Sequence, residues 1–457
     1  MNFPVFRRVA ALLAGFALLL QAFAPGAASA QQSEPVARIR DAEIESYIRD
    51  WSAPVFKTAG LDPGQVKVVL VSDSQINSFV AGGLNMFIYT GLLTMTDNAN
   101  QVIGVMAHET GHIAGGHLAR MGDEIEKAEI IEILSMIAGL GAMAASRQGS
   151  AGAGVSGGGG DLAERNFLSF SRTQEASADQ AAVTFLERTH QSPRGLRDFM
   201  KKLEGEEFRA AYRQDPYLRT HPLTRDRVTF LDNALAHSKY ADSKDPAVFV
   251  EQHARMRGKL LGFLAPIPQV FQRYPPEDKS MEARYARAVA YHRDGRETEA
   301  ARELDSLLAE RPNDPYFHEL KGQILFEAGK VRESIAPYQK ANALLPGNPL
   351  LETEMAQSMV ESGDAGLDKT ALAALEHAAQ SEDDDPTTWR LLAVIYGRQG
   401  DAGRTSLALA EEAYALGRYP DAKGQAKLAQ ERLPAGSPGA LRAQDIEQAA
   451  ADAIKRK

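Results

Sequence analysis

The chain has 457 residues, of which 44% are hydrophobic and 24% are charged. This is an ordinary globular composition, and the length of the chain predicts two or three domains. The formal net charge is −9, and no basic stripe with interleaved aromatic residues occurs, which argues against nucleic acid as a partner. The chain contains no cysteine, which excludes both a disulfide framework and a thiol for lipid attachment.

The first thirty residues have the three parts of a secretory signal peptide. Arg7 and Arg8 form a positive start, residues 9–23 are apolar, and residues 28–30 are a small-residue cleavage site. We therefore expect cleavage after Ala30. An uncleaved membrane anchor is the alternative, for which the apolar run is short. Export without cysteine is typical of the periplasm of a Gram-negative bacterium, and this is the predicted location.

The segments that follow predict a helix and a small sheet. A polar lead continues into a helix with Ile44, Tyr47 and Ile48 on one side. The β-branched run at residues 66–71 predicts a strand, and a second strand is indicated around residues 86–89, after a double-glycine turn. Mixed strands and helices of this kind predict an α+β domain that is mostly α.

Helix-start residues at Asp97 and Asn98 then introduce an apolar helix that is expected to run to about Gly115. Residues 124–146 are strongly apolar and predict a buried or lid helix, with contact to a membrane surface or substrate as the alternative. The glycine-rich run at residues 150–160 is expected to form a mobile loop, because it cannot pack into a core. Helical patterns resume from Leu162.

The helix that starts near Asn98 carries the run HETGH. Its two histidines, His108 and His112, are four residues apart and therefore lie on one face of a helix, where both imidazoles can bind one ion. Glu109 lies beside them and can accept a proton from a water bound to that ion. This HExxH pattern predicts a catalytic zinc site, with one Zn²⁺ per chain, in a peptide-bond hydrolase.

A third protein ligand is required for a catalytic zinc ion. The extended metzincin pattern would place a histidine at position 118, but that residue is Leu118. The other solution is a glutamate from a second helix, and Glu175 in SRTQEASADQAA is the candidate. Asp179 lies one helical turn further on the same face, from where it can orient a ligating imidazole.

The run RTHPLTRDR adds another histidine. His221 precedes a proline and is expected in an extended or turn segment. From there it could reach the open position of the zinc ion or the developing oxyanion. Arg227 or Arg225 could also stabilise that oxyanion, and the residues alone do not decide between the two.

Beyond about residue 275, landmarks recur with a period of 34 residues. Gly295, Gly329 and Gly363 have this spacing, and so do two pairs of prolines. A 34-residue period of paired helices is typical of tetratricopeptide repeats, which stack into an α-solenoid. A further unit ends at Gly400, and an insertion is expected within residues 364–385. A helical bundle with chance spacing is the alternative.

Three motifs together, HETGH, SRxxExxAD and HPxxxxR, resemble the Ste24/HtpX/Oma1 class of zinc metalloproteases, over about residues 40–240. The resemblance implies that His108, His112 and Glu175 bind zinc, that Glu109 is the general base and that Arg227 is the motif arginine. It also implies that His221 can occupy the free zinc site and keep the enzyme latent. The strand at residues 86–89 would be the edge along which a substrate pairs.

The resemblance also implies a cellular role, because an export signal and a repeat tail occur together in members of this class that act in outer-membrane protein quality control. Expected partners are unfolded or stalled outer-membrane proteins as substrates, the barrel assembly machinery through the repeat domain, and the outer membrane by peripheral association. The predicted domains are a signal peptide at 1–30, a gluzincin-type metalloprotease domain at 31–255, a proline-rich linker at 256–280 and tetratricopeptide repeats at 281–457.

Two functions from different classes follow. The first is a periplasmic zinc endopeptidase that hydrolyses misfolded or unassembled outer-membrane proteins and assists their assembly. The second is a chaperone or scaffold that works mainly through the repeat groove, with a latent metal site. A membrane-embedded protease is disfavoured, because there is no second long apolar span.

Overall fold

The computed structural model describes residues 37–81, 83–116, 160–209, 221, 223–382 and 384–456. The predicted signal peptide, the apolar segment at 124–146 and residues 150–159 of the glycine-rich run lie outside the described residues. Within the described part of the chain, no helix has both the length and the apolar character needed to cross a membrane.

The peptidase part combines a small sheet with helices. Its elements are β1 (Ala37–Ile39), α1 (Ala42–Thr58), β2 (Lys67–Ser72), β3 (Ser78–Ala81), β4 (Asn85–Tyr89), α2 (Thr90–Met95), α3 (Ala99–Ala114), α4 (Gly160–Arg188), α5 (Arg194–Arg209) and α6 (Arg225–His237). The predicted helix around Ile44 is α1, and the two predicted strands are β2 and β4. The prediction of a mostly α fold with a small sheet is confirmed.

The sheet has four strands in the order β1-β2-β4-β3. β2 and β4 are parallel, whereas β1 and β3 run antiparallel to their neighbours. The prediction that residues 86–89 form the edge strand is therefore wrong, because β4 is paired on both sides. The two edge strands of the described sheet are β1 and β3, and β3 is the one that pairs with β4. β3 was not predicted from the sequence. Three of its four residues are buried, so the strand has no alternation of buried and exposed positions.

Helix α3 is the central element of the peptidase part. Asn98 caps its start by accepting a hydrogen bond from the Gln101 N–H, as expected for asparagine at an N-cap. Every residue from Gln101 to His112 is buried. A Cβ at Gly111 would lie 2.8 Å from the Ala178 carbonyl oxygen, so only glycine allows α4 to approach this closely. That approach brings the two helices with predicted metal ligands together.

The remaining helices form a stacked array. They are α7 (Ala247–Leu264), α8 (Ile267–Arg273), α9 (Met281–Arg293), α10 (Glu297–Glu310), α11 (Pro315–Glu327), α12 (Val331–Leu344), α13 (Pro349–Glu361), α14 (Asp368–Ser381), α15 (Pro386–Arg398), α16 (Ala402–Ala415), α17 (Tyr419–Arg432) and α18 (Pro438–Arg456). Gly295, Gly329 and Gly363 lie at the turns with φ of 70–75°, a left-handed conformation that favours glycine. The recurring glycines therefore mark turns between paired helices.

The predicted insertion is a short 3₁₀ turn. Ala365–Leu367 follows Gly363 and precedes α14, whereas in the two earlier units the helix begins two residues after the glycine. The helix itself keeps the same length of 14 residues in all three units. The extra turn accounts for the break in period before Gly400 without disturbing the stack.

The predicted linker at residues 256–280 is not a linker in the structure. α7 runs through its first part, and α8 occupies residues 267–273. A Cβ at Gly262 would lie 2.8 Å from the Cβ of Val289, so α7 packs tightly on α9. The prolines do prevent one continuous helix, but Pro266 caps α8 and therefore starts a helix.

The core of the peptidase part continues into the repeats. Tyr316, Ala341 and Leu351, from three repeat helices, belong to the same buried apolar cluster as Tyr47 and Trp51 of α1. The ring of Tyr47 meets that of Tyr316 edge-on at 5.8 Å between centroids. The first repeats are thus packed on the peptidase part.

Candidate metal centre

The two histidines of the HETGH run lie together at the buried end of α3. His108 is 0% exposed and His112 is 7% exposed, and their Nε2 atoms are 3.1 Å apart. The four-residue spacing on one helix produces this proximity, as predicted.

Glu175 on α4 completes a set of three donors. Its Oε2 atom lies 3.4 Å from His108 Nε2, and its Oε1 atom lies 3.3 Å from His112 Nε2. The carboxylate is almost fully buried. The small residues around Gly111 and Ala178 allow this approach, because a larger side chain at either position would separate the helices.

His221 lies against the same three groups. Its Nδ1 atom is 3.4 Å from His108 Nε2 and 3.2 Å from Glu175 Oε1, although 46 residues separate it from Glu175 along the chain. One donor atom each from His108, His112, Glu175 and His221 can be chosen so that all lie within 4.8 Å of one another. The four residues form a single buried cluster.

The spacing of these donors fits a tetrahedral metal ion. Zinc binds imidazole nitrogen and carboxylate oxygen at about 2.0–2.2 Å, so the donors of a tetrahedral site are about 3.3–3.5 Å apart. The separations of His108, His112 and Glu175 are 3.1, 3.4 and 3.3 Å. Two imidazoles and one carboxylate are also the donor chemistry of catalytic zinc sites. The residues present therefore fit the ion that the sequence predicts.

Asp179 and Arg227 surround the donors on the side away from the cluster. The Nδ1 atom of His108 lies 2.8 Å from Asp179 Oδ1, which leaves the Nε2 lone pair directed at the cluster. Arg227 donates from Nε and Nη2 to the two oxygens of Asp179, at 2.7 and 2.9 Å. Its Nη1 atom lies 2.7 Å from Glu175 Oε2. Arg227 therefore bridges one predicted ligand and the residue that orients another.

Arg225, the alternative for the motif arginine, is exposed at the start of α6. Thr224 caps that helix by accepting a hydrogen bond from the Arg227 N–H. The first turn of the helix therefore points Arg227 inward and Arg225 outward. The sequence could not separate the two, because both arginines lie in a single helical turn.

Glu109 lies on α3 beside the cluster with 0% exposure. Neither of its carboxylate oxygens has a hydrogen-bond partner among the described residues, and Oε1 lies 3.5 Å from His221 Nε2. A buried carboxylate without hydrogen bonds is unusual, because its desolvation is not compensated. Burial raises the pKa of this carboxyl, although nearby His221 and His108 oppose the shift.

The pKa values of the two HETGH histidines are shifted in opposite directions. Burial lowers the pKa of His112 to about 3, which keeps the ring neutral and able to bind a metal. Burial acts in the same direction on His108, but hydrogen bonds to Asp179 and Glu175 raise the pKa of that ring to about 9. The two carboxylates thus favour positive charge at His108, whether from a proton or a metal ion.

A buried pair of histidines from HExxH, with a glutamate from a second helix and a free carboxylate beside them, defines a gluzincin-type metallopeptidase centre. Residues 39–235 match the model of Peptidase family M48. Over this region the chain is similar to that family, and the predicted metalloendopeptidase class is confirmed.

Among curated proteins, the chain is similar to the beta-barrel assembly-enhancing protease of Yersinia pestis, with 26% identity over 377 residues, covering 80% of this chain and 75% of that protein. The protein of the same name from Escherichia coli strain K12 is 26% identical over 406 residues, covering 87% and 81%. Metalloprotease LoiP of that strain is 27% identical over 177 residues, covering 38% and 64%.

Among solved structures, the chain is similar to a thermophilic TPR protein of Thermus thermophilus. The sequence identity is 16% and the TM-score is 0.26, over 38% of this chain and 99% of that one. A TM-score this low decides nothing about the fold.

Proposed function

We propose that this chain is a zinc-dependent endopeptidase of the periplasm that hydrolyses misfolded or unassembled outer-membrane proteins and assists their assembly. The observation that supports this proposal is the convergence of His108, His112 and Glu175 at tetrahedral spacing. Beside them lies the buried carboxylate of Glu109, which makes no hydrogen bond to the described residues. Three of these residues would bind the metal ion, and the fourth would act as the base in peptide hydrolysis.

His108, His112 and Glu175 would hold the zinc ion. When bound, zinc supplies a Lewis acid that polarises a peptide carbonyl and lowers the pKa of a coordinated water to about 7. Asp179 fixes the His108 ring from behind, so that its Nε2 atom faces the cluster.

Glu109 would act as the general base. Because its oxygens make no hydrogen bond to the described residues, they are free to accept a proton from the attacking water. The raised pKa of this carboxyl makes it a stronger base than an exposed glutamate. The same carboxyl can then pass the proton to the amide nitrogen of the leaving peptide.

Arg227 was expected to stabilise the oxyanion, but its contacts support a different role. Its Nε and Nη2 atoms bind Asp179, and its Nη1 atom pairs with Glu175. We assign it as a positioning residue that fixes two carboxylates, one of which binds the metal. His221 lies close enough to the cluster to serve either the oxyanion or the latent state.

An extended substrate would pair with β3, one of the two edge strands of the described sheet. The Tyr89 N–H donates to the Asn77 carbonyl at 3.0 Å, which makes these two residues a hydrogen-bonded pair. Hydrogen-bonded pairs alternate along an antiparallel ladder, so the backbone groups of Ser78 and Val80 point away from β4. Those groups can accept one more strand.

The relatives support the proposed substrate class. Two of the similar proteins are named beta-barrel assembly-enhancing proteases, and both come from Gram-negative bacteria. Unassembled barrel precursors present extended segments of alternating hydrophobicity, which suit strand addition. The repeat helices are the proposed contact for the barrel assembly machinery, and the periplasm with peripheral outer-membrane association is the proposed location.

The test uses Glu109→Gln in the full chain. This variant keeps the size of the side chain but removes the base, so it should retain one zinc ion per chain and lose cleavage of casein or of an unfolded barrel precursor by at least about a hundredfold. Zinc content by mass spectrometry of metals and cleavage by gel assay measure the two outcomes. Unchanged cleavage by the Glu109→Gln variant would contradict the proposed peptidase function.

A chaperone or scaffold with a latent metal site is the second candidate. It is favoured by the distance of 3.4 Å between His221 Nδ1 and His108 Nε2, which puts His221 at the position of a fourth ligand. If latency dominates, His221→Ala should raise peptidase activity above that of the natural chain. If His221 serves catalysis, the same variant should lower it. The Glu109→Gln chain should still support barrel assembly in cells only if the scaffold role dominates.

A further inference from the structure

The junction between the peptidase part and the first repeats contains a buried cluster of charged side chains that the proposed reaction does not use. Lys259 on α7 is 1% exposed, Glu43 on α1 is 0% exposed and Glu319 on α11 is 4% exposed. Three helices that are distant in sequence place these charges in one space shielded from water. Burial of this kind requires compensation, because an isolated charge is costly to remove from water.

Lys259 faces three carboxylates. Its Nζ atom lies 2.8 Å from Asp41 Oδ2, 3.4 Å from Glu43 Oε2 and 3.2 Å from Glu319 Oε2. One ammonium group cannot neutralise three ionised carboxylates in a shielded space. The net charge of the cluster therefore depends on which other charged side chains contact it.

Arg255, one turn before Lys259 on α7, supplies the second cation. It binds Glu43 Oε1 at 2.7 Å and pairs with Asp314 at the start of α11. Two tyrosine hydroxyls also donate to Glu43, from Tyr47 at 2.7 Å and from Tyr285 at 2.6 Å. Glu43 is thereby fully satisfied, whereas the two cations still face an excess of carboxylates.

Glu354 on α13 increases that excess. Its Oε2 atom is shielded from solvent and has no hydrogen-bond partner among the described residues. Its carboxyl lies in the field of Glu319, Lys259, Asp41 and Glu327. A shielded carboxyl oxygen without a compensating hydrogen bond favours the protonated form of the group.

We propose that this junction holds a proton on the Glu319 and Glu354 pair, and that loss of the proton loosens the attachment of the repeats to α1 and α7. Burial together with the neighbouring Asp41 and Glu43 raises the pKa of Glu319 to about 7, against the opposing effect of Lys259. Burial and Glu319 raise the pKa of Glu354 well above its usual range. The pair titrates as a unit.

The charged and titratable groups around the pair come from every helix packed against it, and they leave the pair as the group that changes charge near neutral pH. Burial raises the pKa of Tyr47, Tyr285 and Tyr338, so these hydroxyls stay neutral there. The charged groups that act on the pair are Asp41, Glu43, Lys259 and Glu327. Arg255 joins the cluster through Glu43, Asp314 joins it through Arg255, and His292 pairs with Glu327 at 2.8 Å.

The sign of the pH effect follows from the direction of the shift. The pKa of Glu319 rises from 4.5 to about 7 on folding, so between these values the folded junction binds a proton that the opened junction releases. The stability of the junction is complete below the lower value and is lost as the pH rises through the upper one. Each bound proton changes the opening equilibrium about tenfold per pH unit, and in this window the folded junction holds one on Glu319 and one on Glu354.

Hydrogen exchange in the full chain tests the proposal. Protection factors of the α11 and α13 amides, corrected for intrinsic exchange rates, should fall by about tenfold to a hundredfold per unit from about pH 5 to 7. Above pH 7, where only Glu354 still holds a proton, they should fall less steeply. Glu354→Gln and Glu319→Gln each remove one carboxyl of the pair with little change in size. Each should flatten the profile.

The control is Glu361→Gln, on the exposed side of the same helix as Glu354. It should keep the profile of the natural chain. A natural chain whose junction protection does not vary with pH would overturn the proposal, and so would unchanged slopes in both variants of the pair. The measurement needs no peptidase activity, so it stands or falls separately from the proposed function.

Discussion

Arg227 contacts two carboxylates that have different tasks at the candidate metal centre. Glu175 is a metal donor, whereas Asp179 orients the His108 ring, and the planar guanidinium reaches both. Lysine carries the same charge but has no planar fork, so it cannot bind both carboxylates in this geometry. The positioning role therefore predicts a defect in metal binding rather than in the chemical step.

Arg227→Lys should weaken zinc binding by about 10- to 100-fold, the usual effect of losing a residue that orients metal ligands. The measurement is a zinc dissociation constant from competition with a chelator. Cleavage should recover in large part when zinc is in excess. Arg225→Lys is the matched control, because that arginine is exposed two residues earlier on the same helix and should leave zinc affinity unchanged.

The sequence predicted the metal donors but not all of the contacts that they make. HETGH predicted the pair of histidines because helical spacing alone brings them together. Glu175 was assigned by elimination of the metzincin pattern, and its contact with His221 joins residues that are 46 positions apart along the chain. The choice of Arg227 over Arg225 depends on the orientation of one helical turn. No local pattern contains that information.

At the scale of elements, the edge strand shows why the sheet was only partly predicted. β4 is a run of buried apolar residues, and this pattern is typical of a central strand as much as of an edge. β3 has only four residues and β1 only three, which is too short for a period-two signal. Strand order is a long-range property that local propensity does not determine.

Val80 offers a test of substrate pairing at β3. Its N–H points away from β4, so Val80→Pro removes a donor to the substrate without removing a bond of the sheet. KM for an unfolded protein substrate should rise about tenfold, as expected for the loss of about one hydrogen bond, with a smaller change in kcat.

Val80→Ala is the control for this prediction. Val80→Ala shortens the buried side chain but keeps the backbone N–H, so it should lower the stability of the chain while KM stays near its original value. Circular dichroism of both variants checks that the sheet is intact. Equal KM for the proline and alanine variants would mean that substrate does not pair with this strand.

At the scale of the whole molecule, charged side chains of the described residues join the repeats to the peptidase part at two places, in addition to the shared apolar core. The first is the buried junction of Glu43, Arg255 and Lys259 with α9 and α11. Deletion of residues 276–457 would separate the two proposed functions, but it would also remove Tyr285, Asp314 and Glu319 from the junction. It would expose the part of the peptidase core that packs on the repeats, so the deletion would also destabilise the peptidase.

The second attachment is an ionic contact at the edge of the sheet. Arg38 on β1 lies 3.3 Å from Asp384, and Arg40 pairs with Glu382, both in the segment between α14 and α15. These side chains keep about a fifth to a quarter of their exposure, so the contact is weaker than the buried junction and sensitive to salt. It can be altered without unfolding the core.

Arg40→Glu should destabilise the chain, and adding Glu382→Arg should restore much of the loss, because the reversed pair regains the attraction. A double-mutant cycle from urea unfolding should give a coupling free energy of about 1 kcal/mol that shrinks in high salt. Hydrogen exchange of β1 should rise in the single variant, since the Glu382 segment would then separate from the sheet edge.

Arg404 and Asp401 provide the control cycle, because they form a partly exposed pair within one repeat and join no two parts of the molecule. Reversal of that pair should leave β1 exchange unchanged even if its own coupling is similar in size. Failure of Glu382→Arg to rescue Arg40→Glu would show that Arg40 acts through Glu45, its other carboxylate partner at 2.8 Å. The repeats would then be held by the buried junction without this second contact.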